Sequence, residues 1–106
     1  MSDNIIELNE KNFDSSIKKG KWIIDFWAEW CGPCKIMKPH FEATAREFKG
    51  KVNFAEVNVD ENYKIANKFD IMSIPTTILF NDGEIVHATT GALNKSQIIN
   101  LVNEMF

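Results

Sequence analysis

The chain lacks the features that would mark several large classes of protein. It has no excess of positive charge, since 12 lysine and arginine residues stand against 15 aspartate and glutamate residues, for a net charge of −3. A nucleic-acid-binding domain normally carries a basic face. No apolar run approaches the roughly 20 residues that cross a bilayer, and the first residues lack the basic and apolar regions of a signal peptide. We therefore expect no nucleic-acid partner, no membrane partner and a cytoplasmic location.

Cysteine and histidine are also scarce, with two of each in 106 residues. Structural zinc normally takes four such ligands, and His40 and His87 are isolated from each other and from the cysteines. No metal is therefore expected. No glycine-rich cofactor motif is present either, so no bound cofactor is expected. Because repeats and linkers are absent, we expect a single domain over residues 1–106.

The two cysteines that are present lie three residues apart, after the apolar stretch 22–28, in the sequence Trp30-Cys31-Gly32-Pro33-Cys34-Lys35. A disulfide between them would close too short a loop to constrain the unfolded chain much. In the cytoplasm such a pair is more often catalytic than structural. The pair therefore predicts thiol–disulfide exchange.

Strand and helix patterns alternate along the chain in the order β-α-β-α-β-α-β-β-α, which predicts an α/β fold. Asn9 and Asp60 are the expected caps of the first and third helices, and Asn94 with Gln97 forms a capping box for the last. The predicted strands cover 5–8, 22–28, 52–59, 76–80 and 84–88, and the predicted helices cover 9–19, about 31–49, 60–69 and the stretch after Asn94. Helical crossovers make the first three strands parallel, and Asn81-Asp82-Gly83 predicts a hairpin between the last two.

Four features together resemble the thioredoxin family, in the family's order and over nearly the whole chain. They are the Trp-Cys-Gly-Pro-Cys-Lys segment, Asp25 in the central strand, Ile74-Pro75-Thr76 before the fourth strand, and Gly91-Ala92 after the fifth. The resemblance implies the thioredoxin fold, a five-stranded mixed sheet in order 1-3-2-4-5 flanked by four helices.

The same resemblance implies a function and partners. It describes a monomeric protein-disulfide reductase and dithiol electron carrier that receives electrons from thioredoxin reductase. Expected targets are proteins with disulfides, such as ribonucleotide reductase or peroxiredoxins. Two alternatives stay open at this point. One is a carrier dedicated to a single target, and the other is a redox-independent binding subunit of a larger complex.

The two cysteines are expected to have different roles. Cys31 should lie at the N-terminus of the second helix, where unpaired N–H groups and the helix dipole favour a thiolate. We expect Cys31 to attack the target disulfide, and Cys34, one turn further in and more buried, to resolve the mixed disulfide. Pro33 suits the first helical turn, and Gly32 should keep the approach to Cys31 open.

Asp25 is the most unusual residue of the central strand, because a carboxylate in an apolar strand is costly unless it is paired or used. Burial should raise its pKa. By resemblance Glu56 lies close to Asp25, and its negative charge should raise this pKa further. By resemblance Asp25 lies beneath Cys34 and acts as its general base through a water. A structural aspartate with satisfied hydrogen bonds is the alternative.

The segment before the fourth strand should form a docking edge beside Cys31. By resemblance the Ile74–Pro75 bond is cis, and the Ile74 backbone pairs with an extended target segment as an added strand. The alternative is a trans proline at the start of an edge strand. Around Cys31 we expect an apolar collar that consists of Trp30, Ile74, Pro75, Gly91 and Ala92.

Overall fold

The computed structural model describes residues 4–106 of the chain. The expectation about a signal peptide falls partly on residues 1–3 and to that extent lies outside the described residues. The elements, in chain order, are β1 (Ile5–Glu7), α1 (Phe13–Ile17), β2 (Lys21–Trp27), α2 (Gly32–Glu47), β3 (Asn53–Asn58), α3 (Tyr63–Lys68), β4 (Thr76–Asn81), β5 (Glu84–Thr90) and α4 (Lys95–Met105).

The five strands form one mixed sheet in the order β1-β3-β2-β4-β5. Strands β1, β2 and β3 are parallel, whereas β4 runs antiparallel to β2 and β5 runs antiparallel to β4. The predicted element order, the strand order and the fold class are therefore confirmed. The carboxyl end of β2 at the centre of this sheet leads directly into the cysteine pair.

Side chains of β2 are buried on both faces of the sheet, which explains its nearly continuous apolar run. Trp22, Ile24 and Phe26 pack on one face in a cluster with residues of α1 and α3. Ile23 packs on the other face in a cluster with residues of α2 and α4. Because side chains alternate along a strand, Asp25 faces the same side as Ile23, toward α2.

Helix α1 is shorter than predicted and does not begin at Asn9. The Asn9 side chain instead accepts hydrogen bonds from the backbone N–H groups of Lys11 at 2.9 Å and Asn12 at 3.0 Å. These bonds form a local turn, an arrangement that asparagine readily offers in competition with a helix. The helix then starts at Phe13, and Phe13 and Ile17 are buried as predicted.

The cap predicted for the third helix is also wrong. Asn62, not Asp60, is the N-cap of α3. The side chain of Asn58 accepts hydrogen bonds from the backbone N–H groups of Asp60 at 3.0 Å and Glu61 at 3.3 Å, so it orders the loop after β3. The carboxylate of Asp60 is thereby left for a different contact, described with the site below.

The predicted capping box of α4 and the predicted hairpin are both confirmed. Asn94 Oδ1 accepts from the Gln97 N–H at 2.9 Å, and Gln97 Oε1 accepts from the Asn94 N–H at 2.9 Å. In the hairpin, Asp82 and Gly83 have φ values of 51° and 88°. Two successive left-handed residues give a turn that matches the twist of the paired strands.

Candidate active site

The cysteine pair lies where β2 ends and α2 begins. Cys31 is the N-cap of α2, with an extended backbone at φ −86° and ψ 109°, and Pro33 lies in the first turn. The backbone N–H of Cys34 donates to Cys31 Sγ across 3.2 Å. The two residues form a disulfide with a Cα–Cα distance of 5.3 Å. The structure therefore shows the oxidised form of the pair, with one sulfur held against the helix N-terminus.

The opposite side of Cys31 faces the loop before β4. Cys31 Sγ lies 3.8 Å from the carbonyl oxygen of Ile74, and the Ile74–Pro75 peptide bond is cis, as predicted. The N–H of Gly91 donates to the Pro75 carbonyl at 2.9 Å, which joins the segment after β5 to this loop. Ala92 follows Gly91 as an exposed residue.

Cys31 and Cys34 are buried to the same degree, with 3% of each residue exposed. The expected difference in burial is therefore wrong. The reason is that Cys31, Cys34 and Ala28 form one small cluster, on which Trp27, Val59 and Ile74 also pack. The two sulfurs differ in their neighbouring residues instead. Cys31 meets the Ile74 backbone, whereas Cys34 lines a cleft on the other side.

This cleft, with a volume of about 390 Å³, brings Asp25 and Cys34 together. Asp25 is 3% exposed. Across the sheet it pairs directly with Glu56 of β3 and with Thr77 of β4. The cleft is also lined by Trp27, Glu29, Lys35, Lys38 and Glu56. Asp25 and Cys34 thus line the same cleft.

Burial raises the pKa of Asp25 from its ordinary value of 3.8 to about 7, and the neighbouring Glu56 adds to this rise. The side chain of Lys38 acts in the opposite direction and lowers the pKa of Asp25. Burial also raises the pKa of Glu56, which is itself among the buried residues. The directions that were predicted for burial and for Glu56 are therefore confirmed.

Lys38 was missed by the sequence reasoning. It lies one helical turn beyond Cys34 on α2, and its Nζ is 5.0 Å from the centre of the Trp27 ring. A cation over an aromatic face at this distance is attracted to the ring. The i, i+4 spacing from Cys34 could have indicated a shared helix face. Trp27 is half-buried and lines the cleft, so it both packs beside the cysteines and positions this lysine.

Comparison with known proteins agrees with this geometry. A model of the Thioredoxin family matches residues 4–104. The chain belongs to the thioredoxin family. It is 42% identical over 100 residues to the thioredoxin of Staphylococcus saprophyticus, covering 94% of this chain and 96% of the relative. It is 39% identical over 100 residues to the thioredoxin of Pseudomonas aeruginosa, covering 92% of this chain and 93% of the relative.

Family membership and the close cysteine pair establish the general activity. As a member of this family, the chain is a thiol–disulfide oxidoreductase of the dithiol type, which reduces disulfides in target proteins and is itself reduced by thioredoxin reductase. No helix within residues 4–106 has the length and apolar character to span a membrane. In the same range, no group of three or more histidine, cysteine, aspartate or glutamate side chains is arranged to hold a metal ion.

A hydrogen-bonded pair, Trp30 and Asp60, lies near the site and is not indicated by the sequence. Trp30 is 70% exposed, yet its indole Nε1–H donates to Asp60 Oδ2 at 2.8 Å. Trp30 also lines a shallow groove of about 340 Å³ that reaches Ile74 and Met72. Periodicity carries no signal for this bond, because it joins two loops that are 30 residues apart.

Proposed function

We propose that this chain reduces protein disulfides with Cys31 as the attacking thiolate, Cys34 as the resolving thiol and Asp25 as the proton acceptor. One observation carries the assignment. The two sulfurs of the same disulfide have different neighbours, the backbone of the Ile74–Pro75 loop for Cys31 and the Asp25 cleft for Cys34.

The first step is the attack of Cys31 on a target disulfide. The Cys31 thiolate forms a new S–S bond to one target sulfur, and the other target sulfur leaves as a thiolate. The position of Cys31 at the N-cap of the 16-residue helix α2 supports this role. Free N–H groups and the positive end of the helix dipole favour negative charge on that sulfur.

The second step is the resolution of the mixed disulfide. Cys34 gives its proton through a water to the Asp25 carboxylate and attacks Cys31 Sγ, so that the bond between Cys31 and the target breaks and the target sulfur leaves as a thiolate. The target disulfide has then been reduced by two electrons, and Cys31 and Cys34 have been oxidised to a disulfide. A pKa of about 7 supports Asp25 as the base, because a proton acceptor works best when its pKa lies near the working pH.

Target docking is assigned to the collar around Cys31, which consists of Trp30, Ile74, Pro75, Gly91 and Ala92, with Gly32 and Pro33 at its edge. A Cβ atom built on Gly32 meets nothing within 4 Å, which supports an unobstructed surface in front of the cysteine pair. The Ile74 carbonyl near Cys31 Sγ supports pairing of this backbone with an extended target segment.

The setting of the reaction is also part of the proposal. We assign the chain as a cytoplasmic monomer that forms one domain over residues 1–106, with ribonucleotide reductase or peroxiredoxins among its targets. A reducing compartment keeps such a dithiol available for reaction, which supports the cytoplasmic assignment. A Cα radius of gyration of 12.3 Å over the described chain supports one compact unit.

The test is the reduction of insulin disulfides with dithiothreitol as electron donor. Cys31→Ser should abolish the catalysed rate, because the attacking thiolate is lost. Cys34→Ser is the matched variant. Mixed with insulin in the absence of dithiothreitol, which would itself cleave the adduct, it should still attack and should accumulate a covalent adduct that mass spectrometry detects. Full activity of Cys31→Ser, or an adduct on Cys34 in that variant, would contradict the roles assigned here.

A redox-independent binding subunit is the alternative function. The intact cysteine pair and the cleft that joins Cys34 to Asp25 speak against it, because a binding subunit needs neither. A variant with Cys31→Ser and Cys34→Ser that retained full cellular function would favour this alternative.

A further inference from the structure

Thr77 is a buried polar residue whose presence the fold does not explain. Among the described residues, the buried threonines are Thr44, Thr76 and Thr77. The hydroxyls of Thr44 and Thr76 donate to backbone carbonyls. The Thr77 hydroxyl makes no hydrogen bond within residues 4–106, although the residue is 0% exposed. Buried polar groups in proteins nearly always have a partner, so such a group calls for a specific explanation.

The residue directly opposite Thr77 across the sheet is Asp25. Side chains of directly opposed residues project from the same face, with Cβ atoms about 4.5–5.5 Å apart. Asp25 Oδ1 is likewise buried without a hydrogen-bond partner among the described residues. Two neighbouring strands therefore bring one unpaired hydroxyl and one unpaired carboxyl oxygen to the same place.

We propose that Thr77 is a positioning residue for Asp25, whose hydroxyl is joined to the Asp25 carboxyl through one bridging water and holds that carboxyl toward Cys34. A water is the means because two polar groups beyond direct hydrogen-bond distance are commonly bridged in this way. The effect of Thr77 on the reaction rests on the proposed function, in which Asp25 is the base. The water-bridged pairing of Thr77 with Asp25 does not depend on that role.

The surroundings of Asp25 show why a neutral hydroxyl suits this position. The charged groups that act on the carboxyl are Glu56 from β3 and Lys38 from α2. From β4 the opposing side chain is the uncharged Thr77. A hydroxyl can donate to the ionised carboxylate and accept from the protonated acid. Thr77 can therefore hold Asp25 both before and after the proton transfer, without adding a charge.

The experiment is an NMR titration of the Asp25 carboxyl in the oxidised protein, compared between wild type, Thr77→Val and Thr77→Ser. A hydrogen bond to the ionised carboxylate is stronger than one to the neutral acid, so its net effect lowers the pKa of a carboxyl. Thr77→Val should therefore raise the pKa of Asp25 by about 0.5 to 1, which at pH 6 means about a three- to tenfold smaller ionised fraction. Thr77→Ser should restore the wild-type value, because it retains the hydroxyl.

Thr44→Val is the matched control. It removes a buried threonine hydroxyl that has a local partner, the carbonyl of His40 at 2.8 Å, and it should leave the Asp25 titration unchanged. An unchanged Asp25 titration in Thr77→Val, or an equal change in Thr44→Val, would overturn the proposal. If Thr77→Val does not fold, a high-resolution crystal structure of the wild type decides, because a site without the bridging water refutes the pairing.

A kinetic measurement separates this inference from the proposed function. The decay of a preformed mixed disulfide should slow at acidic pH in Thr77→Val, with its inflection moved to higher pH, and Thr77→Ser should restore it. An inflection that stays at the wild-type pH in Thr77→Val, although the Asp25 titration has moved, would overturn the effect on catalysis. If Asp25→Asn leaves the decay unchanged, the proposed base is wrong, while the NMR titration still decides whether Thr77 and Asp25 are paired.

Discussion

Asp25 experiences opposing charges from two neighbouring elements. Glu56 lies beside it in β3, and Lys38 reaches the same cleft from α2. Burial gives the largest rise in the pKa of Asp25, Glu56 raises it further and Lys38 lowers it. The proton affinity of this carboxyl is therefore set by its burial and by charged side chains of β3 and α2.

Glu56→Gln should lower the pKa of Asp25, because it removes a neighbouring negative charge and keeps the side-chain shape. The measurement is an NMR titration of the Asp25 carboxyl in the oxidised protein.

Lys38→Gln is the matched variant and should move the pKa of Asp25 upward, because it removes the opposing positive charge. A change of the same sign in both variants would show that the charges do not control this carboxyl.

Residues at the site differ in how far the sequence could predict them. Cys31, Cys34 and Asp25 could be found because a close cysteine pair and a carboxylate in an apolar strand are unusual in themselves. The partners of Asp25 depend on strand register and on which way the side chain of Lys38 points. The i, i+4 spacing indicates that Lys38 shares a helix face with Cys34. Its contact with Trp27 and the register that sets Thr77 opposite Asp25 cannot be predicted from a single sequence.

Among the secondary-structure elements, α4 has the most complete N-terminal cap. The Asn94 side chain and the Gln97 side chain satisfy each other's backbone N–H groups. Asn94→Ala should lower the free energy of unfolding by about 1 kcal/mol, as is typical for the loss of an N-cap. Urea denaturation monitored by circular dichroism measures this change.

The control for the cap is Asn100→Ala, the same substitution at an exposed position within α4. Alanine is a better helix former than asparagine, so this variant should be slightly more stable than the wild type. Equal destabilisation by both substitutions would contradict a specific capping role for Asn94.

Elements were predictable where their signals are local. The Asn94–Gln97 box and the Asp82-Gly83 turn each need a few adjacent residues, and both were predicted correctly. Asn9 and Asp60 carry the same capping chemistry but were misassigned as caps. Asn9 forms a turn with its own neighbours, and the carboxylate of Asp60 is used by Trp30. Competition between local partners and distant ones decides such cases, and the sequence alone does not rank them.

For the whole molecule, the buried carboxyl links stability to pH. The pKa of Asp25 is about 7 in the folded chain against an ordinary value of 3.8, so the folded state binds this proton more tightly. The protonated Asp25 carboxyl therefore contributes to the free energy of unfolding. This contribution is fully present below about pH 4 and is lost as pH rises through about 7. At about 1.36 kcal/mol for each pH unit, the loss is at most roughly 4 kcal/mol.

Asp25→Asn should therefore stabilise the protein at pH 8 relative to the wild type, and this advantage should shrink toward pH 4. Urea unfolding of both proteins across this range measures it. Asp14→Asn is the control, because it alters an exposed carboxylate in a surface ion pair with Lys68. Such pairs contribute little to the free energy of unfolding, so this variant should unfold like the wild type across the range. A stability difference between Asp25→Asn and wild type that is constant from pH 4 to pH 8 would contradict the linkage.

The alternation of helices and strands could be predicted from the residue pattern, and its helical crossovers make β1, β2 and β3 parallel. The strand order 1-3-2-4-5 was predicted from the resemblance to the thioredoxin family. The burial of Cys31 could not be predicted, since it arises from a loop more than 40 residues away in the sequence that folds back over the sulfur.

The lining of the cleft beside Cys34 does not include the Ile74–Pro75 loop, and under the proposed roles this has a consequence for the range of targets. A target docked on the loop over Cys31 would leave the cleft uncovered. Asp25 would then exchange its proton with solvent while the target is still covalently attached. The rate of target release would in that case depend little on the shape and size of the target.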